Sequence, residues 1–218
     1  MRIIQPGYQI MNPNLDDPDV PKKIYRQIEA AGRTCYKSED RMTEESGEKF
    51  VRAMVKNGHE AMLEHASMTV KFIVDRGVSH ELVRHRLCSF AQESTRYCSY
   101  NKDKFGNEIT FIMPSFWQDK PVLELEWERT MQDAEKSYMT LLACGAKPEE
   151  ARAVLPNSLK TEVVMTADMR EWRQIFKLRA AGEHGMPHPQ MLEVMVPLLT
   201  ECRQKLPALF DDIEPIII

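Results

Sequence analysis

The chain has 218 residues, with 29 Lys and Arg against 33 Asp and Glu, a formal net charge of −4. That balance excludes whole-protein attraction to nucleic acid, so any anion must be held by a local cluster. No apolar run approaches the roughly 20 residues needed to span a bilayer. The opening MRIIQPGYQIMNPN has neither a long apolar core nor a small-residue cleavage site. Cys35, Cys88, Cys98, Cys144 and Cys202 form no C-x-x-C pair, which points to reduced thiols and a cytoplasmic protein.

In chain order, PNLDDPDVP at 13–21 reads as a loop and KKIYRQIEAAG as a short helix closed by Gly32. A second helix is predicted from Thr43 to Lys56, stopped by Asn57-Gly58. SMTVKFIV at 67–74 alternates Met68, Val70, Phe72 and Val74 against Thr69 and Lys71, a strand signature. Asp75-Arg76-Gly77 is expected to turn the chain, and Ser79 to cap a helix over 79–90. EITFIMP at 108–114 reads as a strand. From Pro121, Trp127, Met131, Ala134, Tyr138 and Leu141 recur at gaps of four and three, a helix ended by Gly145.

KPEEARAVLP has Pro at its start, Glu in its first turn and Pro156 at its end, a compact helix. LKTEVVMT at 159–166 reads as a strand, and Asp168 as the N-cap of MREWRQIFKLRAAG. Leu192, Met195, Leu199, Cys202, Leu206 and Leu209 form an apolar seam on a last helix that Pro197 should bend or interrupt. Roughly six helices and a few strands that do not alternate as βαβ units predict an α+β fold. Mixed helices would surround a small, mainly antiparallel sheet in a single domain over 1–218. No G-x-G-x-x-G or P-loop is present, so a nucleotide cofactor would be held some other way.

The densest positive charge is in RHRLCSFAQESTRY at 84–97. On a helix Arg84 and Arg86 would stand about 200° apart, facing two different anions. Gln92, Ser94 and Arg96 alternate beyond it, as three side chains of an extended segment pointing to one side would. Ser94 offers a hydroxyl and Arg96 a planar fork suited to phosphate. A solvated basic helix face and a nucleic-acid groove are the competing readings. Aromatic platforms for base stacking are sparse nearby.

Arg84-His85-Arg86, seven residues and Ser94 resemble the R-H-R-x7-S signature of flavin-dependent thymidylate synthases, extended by Arg96-Tyr97. GHEAMLEH at 58–65, EARAVLP at 150–156, TADMREWRQIFKLR at 166–179 and HPQMLEV at 188–194 are similar to further segments of that family, in order and spacing, over about residues 20–210. The resemblance implies conversion of dUMP to dTMP, with methylenetetrahydrofolate as carbon donor and a hydride from FAD that NADPH re-reduces. It also implies a homotetramer with shared active sites.

By position, it implies that Ser94, Thr95, Arg96, Arg152 and Gln92 hold dUMP, with Glu81 and Arg84 near the nucleotide. Arg179 would contact the uracil and favour its ionisation, as a permanently cationic group that stabilises charge without taking a proton. FAD would meet Arg84, His85, Arg86, Gln92, Asp168, Met169, Arg170 and Gln174, with His59 near the flavin ring. Arg170 and Gln174, four apart, share a helix face.

No metal is expected. His59, Glu60, Glu64 and His65 lack H-E-x-x-H spacing, and His184 and His188 merely bracket Gly-Met-Pro. Four positions depart from the family pattern: Gln92 for a common Glu, Asp168 for Asn, Ala61 for a hydroxyl residue and Glu81 for Gln. Rival functions are a pyrimidine methyltransferase using Cys88 or Cys98 as nucleophile, and a non-catalytic nucleotide- or flavin-binding protein.

Overall fold

A computed structural model describes residues 1–102 and 106–217. In chain order it contains β1 (Arg2–Ile4), β2 (Gly7–Asn12), α1 (Val20–Thr34), α2 (Ser46–Lys56), β3 (Ser67–Asp75), α3 (Arg76–Leu82) and β4 (Ser89–Gln92). There follow β5 (Thr110–Ile112), α4 (Pro121–Ala143), α5 (Pro148–Ala151), β6 (Lys160–Asp168), α6 (Met169–Arg179), α7 (Pro189–Lys205) and α8 (Pro207–Phe210). The fold is α+β, with a small, mainly antiparallel sheet of order β2-β3-β6-β4 and a separate pair, β1-β5. Among the described residues, no helix is long and apolar enough to cross a membrane.

The chain gathers into two compact units. The first comprises Met1–Gly7, Phe72–Arg84 and Ala91–Val163; the second comprises Tyr8–Lys71, His85–Phe90 and Val164–Ile218.

In the first unit, β1 runs parallel to β5, pairing Arg2 with Thr110, Ile3 with Phe111 and Ile4 with Ile112. The expected 3.6-residue pattern of α4 is present: Trp127, Met131 and Tyr138 are buried and pack with Tyr100, Ile109, Phe111, Ala151 and Leu159. Burial of each large apolar side chain contributes roughly 1.5–3 kcal/mol, which makes this face of α4 the main stabiliser of the helix. The pattern fades at both ends, for Leu141 is 36% exposed and Val122 79%.

In the second unit, α1 runs two residues beyond the predicted stop at Gly32. The glycine is there for packing: a Cβ on it would meet the Phe50 ring of α2 at 2.4 Å. On α6, Trp172, Ile175 and Phe176 are buried; the Phe176 and Phe210 rings meet edge-on at 5.4 Å, and Trp172 Nε1 donates to Met68 O at 2.9 Å. The apolar seam is buried throughout, from Leu192 at 4% exposure to Leu209 at 0%. Pro197 does not interrupt α7, which runs without a break from Pro189 to Lys205, but the seam is not on one helix: it passes at Leu206 to α8, which carries Leu209. The proline is exposed while Leu198 and Leu199 beside it are buried. The packing of those neighbours outweighs one missing N–H bond.

Two expectations fail around residue 80. The helix starts earlier, capped by Asp75 Oδ1, which accepts from Val78 N at 2.7 Å; Ser79 lies inside it and donates to Arg76 O at 3.0 Å. It also ends at Leu82, so Arg84-His85-Arg86 occupies an irregular turn. Val83 and Leu87, which a longer helix would carry, are exposed at 39% and 76% and give it nothing to bury. β1, β2 and β4 were not anticipated, being short and only partly buried.

Candidate active site

The first unit organises the segment after the arginine turn. Gln92, the last residue of β4, donates from Nε2 to Ser79 Oγ at 2.9 Å and Thr161 Oγ1 at 3.3 Å. The extended path goes one bond further, where Glu93 N donates to Glu162 O at 2.9 Å. The chain then turns, with Tyr97 N and Cys98 N both donating to Ser94 O, at 3.2 and 2.9 Å. Gln92, Ser94 and Arg96 are therefore not three alternating positions of one strand. Ser94 opens a turn, and its Oγ accepts from Arg96 N at 3.3 Å.

Two arginines of the first unit meet this turn. Arg152, in the 3-10 turn Arg152–Val154 after α5, donates from Nη1 to the buried Thr95 Oγ1 at 3.2 Å. Arg96 pairs with Glu149 of α5 at 3.2 Å, with its guanidinium 5.3 Å from the Tyr97 ring centroid. Thr95 and Arg152 are thus joined in the turn that Ser94 opens, with Arg96 beside them on the same turn. Glu81 lies in the last turn of α3, its carbonyl accepting from Arg84 N at 3.3 Å, and Arg84 is exposed in the turn that follows.

Glu93, which sequence reasoning passed over, anchors the same segment. Its carboxylate accepts from Lys160 Nζ at 3.0 Å and from Tyr100 OH at 3.3 Å. Burial alone would lower the Lys160 pKa, but hydrogen bonds to Glu162 and Glu93 outweigh it and hold the ammonium above its usual range. A charged residue beside a phosphate motif gives no sign, in sequence alone, that it will turn inward to a lysine 67 positions away.

The second unit holds the rest. Asp168 is the N-cap of α6, accepting from Glu171 N at 2.8 Å. Met169 is fully buried, and its N–H donates to Ala66 O at 2.8 Å, which commits it to the core. Arg170 and Gln174 are exposed one turn apart, and Arg170 pairs with Glu64 at 2.5 Å. Asp168, Arg170 and Gln174 line a cleft of about 500 Å³ with Glu60, Glu64 and Glu171, so carboxylates dominate its wall. Arg170 also lines a larger cleft of about 760 Å³ with Arg33, Tyr36, Arg41, Phe50 and His59. Arg86 lies exposed in the turn after α3.

Arg173, between Arg170 and Gln174 in sequence, is buried and structural. It bonds Glu60 at 3.0 Å and Asp212 through two nitrogens at 2.7 Å each.

Arg179 ends α6, and its Nε donates to His85 Nε2 at 3.3 Å. Burial first, and the Arg179 charge second, lower the His85 pKa to about 4, so the imidazole is neutral at pH 7. Its Nδ1 faces Glu171 Oε1 at 3.8 Å. Burial and then Asp168 raise the Glu171 pKa. Cys88, half-buried near these carboxylates, is pushed up to about 12, by burial first and then by Glu171 and Asp168. A thiol so placed is a poor nucleophile.

Among the described residues no group of three or more His, Cys, Asp or Glu is placed to hold a metal ion. His188 instead caps α7, with Nδ1 accepting from Gln190 N at 3.3 Å.

Residues 20–208 match the family described as thymidylate synthase complementing protein. The chain belongs to the flavin-dependent thymidylate synthase family. It is 32% identical over 188 residues to the flavin-dependent thymidylate synthase of Pyrococcus furiosus, covering 85% of this chain and 72% of that one. It is also 32% identical over 205 residues to that of Corynebacterium efficiens, covering 86% and 78%. Among solved structures, a UMP/dUMP methylase, PolB, from Streptomyces cacaoi bound with 5-Br dUMP superposes with a TM-score of 0.76 at 20% identity. That match covers 97% of this chain and 96% of the methylase, and it is a likeness of fold.

Proposed function

We propose that this chain is a thymidylate synthase that methylates dUMP to dTMP, with methylenetetrahydrofolate as carbon donor and FAD, reduced by NADPH, as hydride source. The observation that carries the reading is the cradle of the first unit. Arg152 is drawn onto Thr95 in a turn that Ser94 opens, within a family whose members above are named for this reaction.

Ser94, Thr95, Arg96 and Arg152 would take the nucleotide phosphate, each charge-assisted contact contributing on the order of 1.5–3 kcal/mol. Gln92 would support the cradle through Ser79 and Thr161. The Arg179 guanidinium would stabilise negative charge on the pyrimidine as C5 becomes nucleophilic.

The donor set of the second unit fits a flavin dinucleotide in one respect and directs it in another. Arg33, Arg41 and Arg170 beside Tyr36 and Phe50 offer cations for a pyrophosphate and apolar faces for a ring. The carboxylate-lined cleft at Asp168 and Glu171 suits hydroxyls and repels phosphate. The bound flavin would supply two electrons as hydride. Assembly as a homotetramer with sites shared between subunits belongs to the same proposal.

A cysteine-dependent methyltransferase is the weaker reading, because the Cys88 pKa is raised and the thiol is held protonated. The absorption spectrum of freshly purified protein separates the flavin-dependent reading from a cysteine-dependent one, and turnover of dUMP separates it from a non-catalytic one. A flavin band at about 450 nm, bleached by NADPH, is expected. Arg179→Ala should keep that band and lose turnover; wild-type turnover in this variant would remove Arg179 from the mechanism.

A further inference from the structure

The geometry points to His85 and Glu171 as positioning residues for Arg179: a neutral imidazole accepts from the Arg179 Nε and sets the plane of its guanidinium, while the Glu171 carboxylate faces the opposite ring nitrogen. The inference rests on the proposed thymidylate synthase reading and assigns His85 a task other than contact with a cofactor.

The steps are chemical. An arginine Nε can only donate, so the ring nitrogen that meets it at 3.3 Å must carry a lone pair. His85 is therefore neutral and bears its proton on Nδ1, the atom that faces Glu171 Oε1 at 3.8 Å. That distance is too long for a direct hydrogen bond, yet a carboxylate there favours the tautomer with its N–H on that side. His85 is 8% exposed, so the ring has little room to reorient.

Glu171 and Arg179 stand in the first and last turns of α6, about 12 Å apart along its axis. The imidazole, carried by the turn after α3, reaches toward both. A guanidinium is planar, so a bond at Nε fixes the plane in which both Nη groups lie. A misplacement of about 1 Å at a reacting centre costs on the order of a hundredfold in rate.

The test compares His85→Leu, His85→Gln, Glu171→Ala and Glu171→Gln, purified as flavoproteins, by kcat, KM for dUMP and flavin content. His85→Leu removes the acceptor and should lower kcat about tenfold or more, with KM and flavin content changed less than about threefold. His85→Gln keeps an oxygen that can accept from Nε and should recover most of the lost rate. Glu171→Ala should cost about threefold in kcat, and Glu171→Gln less.

Equal losses in His85→Leu and His85→Gln would overturn the acceptor role, as would a loss of rate that merely follows lost flavin. Unchanged kcat in Glu171→Ala would remove Glu171. If the wild-type protein itself does not turn over dUMP, the synthase reading fails, and crystal structures of wild type and the two His85 variants decide the positioning role. Arg179 should hold its plane in His85→Gln and lose it in His85→Leu; an unchanged plane in His85→Leu contradicts the inference.

Discussion

Arg152 donates to the Thr95 hydroxyl at 3.2 Å, joining two residues 57 positions apart in the chain. Thr95 is 7% exposed, whereas Arg152 is exposed, so the bond fixes the inner end of a guanidinium whose outer face stays open to a ligand. Arg152→Ala should therefore raise the KM for dUMP about 10- to 100-fold, the worth of one charge-assisted phosphate contact. Thr95→Val, which keeps the cation but frees it, should cost only a few-fold. A dUMP titration of both variants measures this, and an unchanged KM in Arg152→Ala removes that residue from the phosphate cradle.

The Gln92 side-chain amide donates its two hydrogens to Ser79 and Thr161. A carboxylate can only accept, and Ser79 already donates its proton to Arg76 O. Gln92→Glu should therefore lower stability by about 1 kcal/mol, or about 2–4 °C in Tm. Thermal unfolding of the variant beside wild type checks it; a variant of equal or higher Tm shows that the amide is not needed as a donor.

The Cys88 pKa of about 12 leaves about 10⁻⁴ of the thiol ionised at pH 8. Alkylation of Cys88 by iodoacetamide should accordingly lag well behind that of exposed Cys35 and Cys144. Cys88→Ala should retain turnover. Loss of turnover with normal flavin content would revive a thiol mechanism.

His85 also predicts the sign of a pH effect on stability. Its folded pKa of about 4 lies below the ordinary value of 6.5, because burial and then Arg179 disfavour the cation. Between those values the unfolded chain binds a proton that the native protein does not, so stability rises with pH across this window and is lost as pH falls. At pH 5 the loss attributable to His85 is up to about 2 kcal/mol. Glu171, whose pKa is raised, works against this loss, since a carboxyl that holds its proton more tightly when folded stabilises the native state at low pH. Urea unfolding at pH 7.5 and pH 5 should show a smaller drop in His85→Gln than in wild type; equal drops would mean that the imidazole titrates normally.

Much of the fold could be read from the residues because long, strongly periodic segments report their own packing. The seam on α7 and the Asp168 cap of α6 are local patterns with a single physical reading. The failures occurred where local pattern and tertiary packing disagree. Gly32 looks like a helix stop, yet it sits inside α1 because a ring from α2 leaves no space for a Cβ. Val83 and Leu87 look like a helix face, yet no core meets them, so the arginine motif is a turn.

At the candidate site the basic residues and Ser94 were visible as a motif. Glu93 and Glu171 were not, because an acidic residue in a charged stretch looks solvated. Only the fold shows that one meets Lys160 and the other faces His85. Met169, whose motif position suggested a ligand contact, is buried, and its N–H is bound to Ala66 O.

The central claim is tested most directly by tritium release from C5-labelled dUMP, followed with dTMP formation. The account predicts release equal to dTMP formed, only when the flavin-loaded protein, methylenetetrahydrofolate and NADPH are all present. No release from flavin-loaded protein in the complete mixture, or release that persists without reductant and yields no dTMP, would contradict it.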